Sequence, residues 1–170
     1  MTWTAPDIDR TWPRRVAGER EALESWLEYH RRTLLSKCAG LTADQLRERA
    51  CPPSKLTLHG LVRHMAEVER NWFRRQIPNV DLPSIYGDDE SDWDGVDSAE
   101  FTADVAILTE EIEAGRTVVA GSGLDDRFTH RRHGHEFDVR WVYVHMIEEY
   151  ARHNGHADFL RERIDGATGD

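Results

Sequence analysis

Apolar residues recur at helical spacing in four long stretches of the chain. From about residue 15 to 37, Leu23, Trp26, Leu27, His30, Leu34 and Leu35 mark a core face, and Gly40 then supplies a stop. From Leu58 to Gln76 the stripe is Leu58, Leu61, Val62, Met65, Val68, Trp72 and Phe73, with Thr57 suited to cap its start. A third helix runs through Phe101, Val105, Leu108, Ile112 and Val119 to Gly121-Ser122-Gly123, with Asp97 or Ser98 as its cap. The fourth opens at Asp138, covers Trp141 to Arg163 and ends before Gly166. Four such stripes predict an all-α protein, a four-helix bundle whose facing core stripes build any functional site.

The connections have their own signatures. Thr42-Ala43-Asp44-Gln45 is a capping-box pattern and predicts a short connector helix to about Arg49, ended by Cys51-Pro52-Pro53. Ile77 to Asp97 is rich in Pro, Gly and Asp, includes the acidic run Asp88-Asp89-Glu90, and reads as a long surface loop between helices two and three. Arg127 to Asp138, with Gly134 inside, predicts a small hairpin. Residues 1–14 form an N-terminal arm in which Pro6 and Pro13 surround Trp3 and Trp12, whose docking place the sequence does not reveal.

At 170 residues the chain is the size of a single domain, 1–170, with a substantial core. A formal net charge of −10 argues against nucleic acid as a partner, because phosphate-backbone binders present a basic face. No apolar run is long enough to span a bilayer and no leader pattern is present, so the expectation is no membrane partner and a cytoplasmic location. Cys38 and Cys51 match neither a zinc-ribbon nor a CxxC spacing and read as reduced thiols. The six tryptophans suit either the core or an interface, which leaves a homodimer open.

Chemistry concentrates on helix four. At about 100° per residue, His145, Glu149, His153 and His156 fall within an arc of roughly 80°, on the face that also carries Val142 and Leu160. Polar groups on a buried face need a partner, and a metal ion is one. Glu149 and His153, at i and i+4, could share a divalent ion or form a plain salt bridge; His64, at the edge of the helix-two stripe, could add a third ligand. Glu69 falls inside that same stripe and must be paired, either in a buried ion pair with an Arg or a bond to Trp or Tyr, or as a base facing substrate. His30 and His145 read as hydrogen-bonded core histidines. His133 and His135 would share one side of the hairpin, as pocket rim or solvated strand, beside His130. No GxGxxG, Walker-type or GxSxG motif is present.

The run Leu61 to Trp72 (LVRHMAEVERNW), together with Glu149 to His156 (EYARHNGH), resembles the metal-binding signature of the DinB-like (DinB/YfiT) superfamily of four-helix bundles. The resemblance covers nearly the whole chain and is nearest to the mycothiol-associated branch, whose members include mycothiol-dependent maleylpyruvate isomerase. It implies a metal site made of His64, Glu149 and His153. Glu149 departs from the usual HxxxH pair, and the resulting two-His-one-Glu set resembles that of the isomerase. His156, where many relatives carry Gln, would be a fourth ligand, a proton shuttle or a hydrogen-bonded core residue.

These observations predict a metal-dependent enzyme holding one divalent ion, zinc, nickel, iron or manganese, with bound water or thiol as nucleophile and Glu69 and His156 as auxiliary candidates. By resemblance the partners are a small-molecule thiol such as mycothiol and an electrophilic substrate, joined by transfer or isomerisation. The rival readings are a metal-binding, stress-related bundle without turnover and a non-haem iron protein acting on oxygen.

Overall fold

The structure, a computed structural model, describes residues 4–87 and 91–169. Trp3 and the Asp88-Asp89-Glu90 run lie outside the described residues. Helix α1 spans Glu19–Ser36, starting about four residues later than its pattern suggested, because Val16 finds nothing to pack on and stays 93% exposed. Two glutamates in its first turn suit the positive end of the helix dipole. The connector α2 is the four residues Ala43–Leu46, shorter than expected, held by a capping box in which Thr42 and Gln45 satisfy each other's backbone N–H.

Helix α3 covers Leu58–Glu69, with Thr57 Oγ1 accepting the N–H of Gly60 at 2.9 Å. Beyond Glu69 the helix does not continue as α; it widens into a π-helix, Arg70–Gln76. Ile77 N–H reaches the Trp72 carbonyl and Val80 N–H the Arg75 carbonyl, both five residues back. The predicted loop that follows is in fact partly ordered, as the short helix α4, Ser91–Asp94, and a 3-10 turn, Gly95–Ser98. Helix α5, Phe101–Val119, starts after Glu100 rather than at Asp97 or Ser98, which the 3-10 turn absorbs; Asp97 pairs instead with Arg49 at 3.1 Å. Strands β1, Arg127–Thr129, and β2, Glu136–Asp138, form the expected antiparallel hairpin, with Phe128 opposite Phe137. Helix α6, Val139–Asp165, is capped by Asp138, which accepts the Trp141 N–H at 2.7 Å, and ends at Gly166 with φ 77°.

Pairings along the helices fix their directions. Glu19 meets Arg140 and Lys37 meets Asp158, so α1 and α6 are parallel. His64 meets His153 and Trp72 meets Trp141, so α3 is antiparallel to α6. His59 meets Asp104 and Arg70 meets Glu111, so α5 runs with α3. The order is up, down, down, up. Two consecutive parallel helices force the chain after the π-helix to return past the 12-residue α3 and the 7-residue π-helix, roughly 28 Å. The long 77–100 connection makes that return, and its short helix α4 comes to lie against α3.

Leu27, Leu34, Leu61, Met65, Phe73, Met146 and Leu160 fill the core between the helices. Glu69 stands among them, wholly buried, and both of its oxygens receive Arg31 at 2.8 Å while Tyr150 O–H donates to it at 2.9 Å. Each oxygen of this carboxylate thus faces a donor and the charge is paired, the condition under which a buried charge is tolerated. Burial opposes the charge on Arg31, but Glu69 outweighs it and raises the guanidinium pKa. α5 approaches the π-helix so closely that a Cβ on Gly115 would stand 2.9 Å from Phe73 Cβ. The N-terminal arm docks by backbone bonds between Ala5 and residues 40 and 41, and Trp12 stacks on Tyr29 at 5.2 Å. Among the described residues no helix is long and apolar enough to cross a membrane.

Candidate metal centre

His64 on α3 and Glu149 and His153 on α6 come together inside the bundle, each offering one ligand atom within 4.8 Å of the others. Helical spacing of four sets Glu149 and His153 side by side, with Glu149 Oε2 3.5 Å from His153 Nε2. Two donors about 2.1 Å from one tetrahedral ion stand about 3.4 Å apart, so this pair has the separation a divalent metal requires. The outward-facing ring nitrogens agree. His64 Nδ1 lies 2.8 Å from Asp92 Oδ2, and because a carboxylate only accepts, Nδ1 carries the proton and Nε2 keeps its lone pair in the neutral ring. His153 presents Nδ1 to His156 Nδ1 at 3.3 Å, which leaves Nε2 toward Glu149.

The electrostatics of His153 favour its neutral form. Burial, then the neighbouring His64, His156 and Arg152, lower its pKa to about 4, so the imidazole is neutral near pH 7. A half-buried site of two imidazoles and one carboxylate fits a hard-to-borderline divalent cation.

The connection after the π-helix covers this group, and it holds the functional residues that sequence reasoning missed. Asp92 supplies the acceptor for His64, and Trp93 stacks on the same ring at 4.4 Å and 25°. Arg63 Nε donates to the Asp92 carbonyl at 3.0 Å and fastens α4 to α3. Gly60 permits the close approach, since a Cβ there would stand 3.3 Å from the Trp93 ring. Behind, Asp104 receives His59 at 2.7 Å and Arg63 at 3.1 Å. Burial pushes the Asp104 pKa up, but the bonds from His59, Arg63 and Tyr86 outweigh it and hold the carboxyl below its ordinary value. The one available signal was a lone tryptophan inside an acidic, Gly- and Pro-rich segment.

The remaining candidates are spread around the triad. His156 reaches the far nitrogen of His153, behind the ring rather than in the ligand cluster. His145 lies flat on Trp141 at 4.8 Å and 20°, its Nε2 3.6 Å from Glu149 Oε1, and forms a second possible donor group with Glu148 and Glu149. Arg152, paired with both glutamates, already balances that second group. His30 faces Asn154, whose amide donates to the His30 carbonyl at 3.1 Å. Glu69 is in the core ion pair and not in the cluster. His133 and His135 sit in the hairpin turn rather than on paired strand positions, because the strands end at Thr129 and resume at Glu136. The buried member is His130, stacked on His133 at 4.6 Å and edge-on to Trp72 at 5.5 Å.

A bundle with this course, carrying such a cluster between its second long helix and its last, is a DinB-like four-helix bundle. The family model described as Mycothiol-S-transferase matches residues 22–166, and the chain belongs to that family. Among solved structures it is similar to YfiT from Bacillus subtilis, described as a probable metal-dependent hydrolase with an unusual four-helix bundle topology. The match is at 18% identity with a TM-score of 0.65, over 94% of this chain and 97% of that one, and it shows the fold. A comparison with curated proteins found no match.

Proposed function

We propose that the protein is a divalent-metal-dependent S-transferase that joins a low-molecular-weight thiol of the mycothiol kind to an electrophile. The observation that carries this reading is the His64, Glu149 and His153 cluster, whose ligand atoms lie within 4.8 Å of one another; three protein ligands would leave a coordination position for thiol or water. Family membership and the description of YfiT as a probable metal-dependent hydrolase support it. His64, Glu149 and His153 would hold the ion. When bound, such an ion supplies Lewis acidity, which draws the proton from a thiol or water near neutral pH.

The chain's own residues do the rest. Asp92 keeps the proton of His64 on Nδ1, and His156 faces Nδ1 of His153, so both rings turn Nε2 inward. Trp93 shields one side from water. In the transfer the thiol sulfur forms a bond to the electrophilic carbon, the bond from that carbon to its leaving group breaks with the electron pair going to the leaving group, and the thiol proton passes to solvent. Nothing is oxidised or reduced.

The test is metal content followed by turnover. Protein purified without a histidine tag should hold about one ion per chain, a count set by the three-ligand site. His153→Ala should lose it. A panel of thiols and electrophiles, run with and without chelator, should show turnover that disappears with the metal. Full metal occupancy in His153→Ala would sink the site, turnover that survives the chelator would overturn the metal dependence, and absent turnover across the panel would favour a binding protein.

A further inference from the structure

The α6 stripe that ends in the triad begins with aromatic residues. Trp141, His145, Glu149 and His153 follow one another at intervals of four, so they lie along one face in successive turns. The Trp141 ring is parallel to His145. Across from them, on the π-helix, Trp72 stands 4.8 Å from the His145 ring and 5.1 Å from that of Trp141. The hairpin adds Phe137, 4.5 Å from Trp141 and 5.7 Å from Trp72. Two departures from regular structure, the π-helix and the hairpin, therefore aim rings at the same stretch of α6, a common use of π-helical turns at functional sites.

This cluster is not sealed like the core. Trp141 remains 41% exposed, and Trp72, Phe137 and His145 are only half-buried, whereas Phe73, one residue from Trp72, is 1% exposed. Large indole faces left partly open next to a reactive centre favour a flat ligand. Their electron-rich faces stack best on an electron-poor ring. The wall also joins the triad directly, because His145 lies between Trp141 and Glu149 and reaches the Glu149 oxygen that does not face His153.

We propose that Trp72, Phe137 and Trp141 seat an electron-poor aromatic electrophile, held on the α6 face one to two turns from Glu149 with its reactive carbon toward the triad. The assignment of the ligand as the second substrate rests on the transferase reading above; the seat itself rests on the ring geometry. For a chloro-dinitrobenzene the step forms the carbon–sulfur bond, breaks the carbon–chlorine bond, and releases chloride and a proton.

Two measurements keep the seat and the transferase reading apart. The first is the ratio of kcat/KM for 1-chloro-2,4-dinitrobenzene to that for iodoacetamide, with the same thiol. Trp141→Leu, at a position exposed enough to tolerate the change, should lower this ratio about tenfold, the equivalent of roughly 1.4 kcal/mol and within the range of a lost aromatic contact. An unchanged ratio overturns the seat. The second needs no turnover: 2,4-dinitroaniline, the same ring without a leaving group, should quench tryptophan fluorescence saturably, and both Trp141→Leu and Phe137→Leu should raise its Kd. Trp12→Leu, in the N-terminal arm, should not. If no electrophile is turned over, the transferase reading fails while the quenching still decides the seat. Absence of saturable quenching, or quenching unaltered in both variants, overturns it.

Discussion

Asp92 and His64 are joined by a 2.8 Å hydrogen bond across 28 residues of chain, at the point where the return connection crosses α3. The acceptor side of the bond is a carboxylate, so the bond selects the histidine tautomer that points Nε2 toward Glu149 and His153. The order of the helices creates this contact. α5 runs parallel to α3, the chain must come back along the bundle, and the returning segment becomes the cover of the site.

Removing that acceptor should therefore act on metal affinity. Asp92→Ala should weaken binding about 10- to 100-fold, as other losses of a ligand-orienting partner do, and Asp92→Asn, whose amide oxygen still accepts, should weaken it less. Competition against a chromogenic chelator measures this. Equal affinity in wild type and Asp92→Ala would show that the bond does not position His64.

Glu149 should set the metal preference. Glu149→His gives three imidazoles and should keep an ion while losing relative affinity for harder cations such as manganese, because a carboxylate suits them better than an imidazole does. Glu149→Ala should lower occupancy outright. Identical manganese-to-zinc selectivity in wild type and Glu149→His would remove Glu149 from the ligand set.

The Arg31, Glu69 and Tyr150 group makes a prediction about stability and not about chemistry. Glu69→Ala leaves the buried Arg31 guanidinium without its partner and should cost about 3–5 kcal/mol in urea unfolding. Replacing Arg31 with Met and Glu69 with Leu together should recover much of that loss, since an apolar pair avoids the desolvation of both charges. A single variant within about 0.5 kcal/mol of wild type, the range of an ordinary surface change, would contradict the ion pair as described.

His153 makes the metal-free protein sensitive to acid. Its pKa is 6.5 when unfolded and lowered to about 4 in the fold, chiefly by burial and then by His64, His156 and Arg152. The unfolded chain therefore takes up the proton first as pH falls. The stabilisation is full above pH 6.5 and is lost progressively down to about pH 4, by up to roughly 3 kcal/mol. Thermal unfolding of chelator-treated protein across that window should show the decline, and His153→Gln should flatten it. An equal decline in the variant would place the titration elsewhere.

Much of this architecture was readable in the chain because it depends on local rules. The capping box at Thr42 and Gln45, the caps at Thr57 and Asp138, the stop at Gly166 and the short hairpin each follow from the chemistry of a few neighbouring residues. The π-helix was not readable, since Arg70 to Gln76 has an ordinary helical pattern and departs from it where Arg70 and Arg74 both reach Glu111 of α5. The cap of α5 was misplaced for a related reason: Asp97 and Ser98 are good caps in isolation, but the 3-10 turn that packs Val96 into the core occupies them.

The sequence by itself determined the helices, the apolar stripes and the set of side chains able to hold a metal, because helical periodicity places Glu149 and His153 on one face whatever surrounds them. It determined also that Glu69 needed partners, since burying an unpaired carboxylate is too costly. Only the tertiary structure decided which groups those partners are, and which nitrogen of each histidine faces inward. It alone brought Asp92 and Trp93 onto His64 and set Trp72 against His145 and Trp141. These contacts join segments tens of residues apart, and their geometry follows from helix direction and close approach, quantities that no local pattern along the chain encodes.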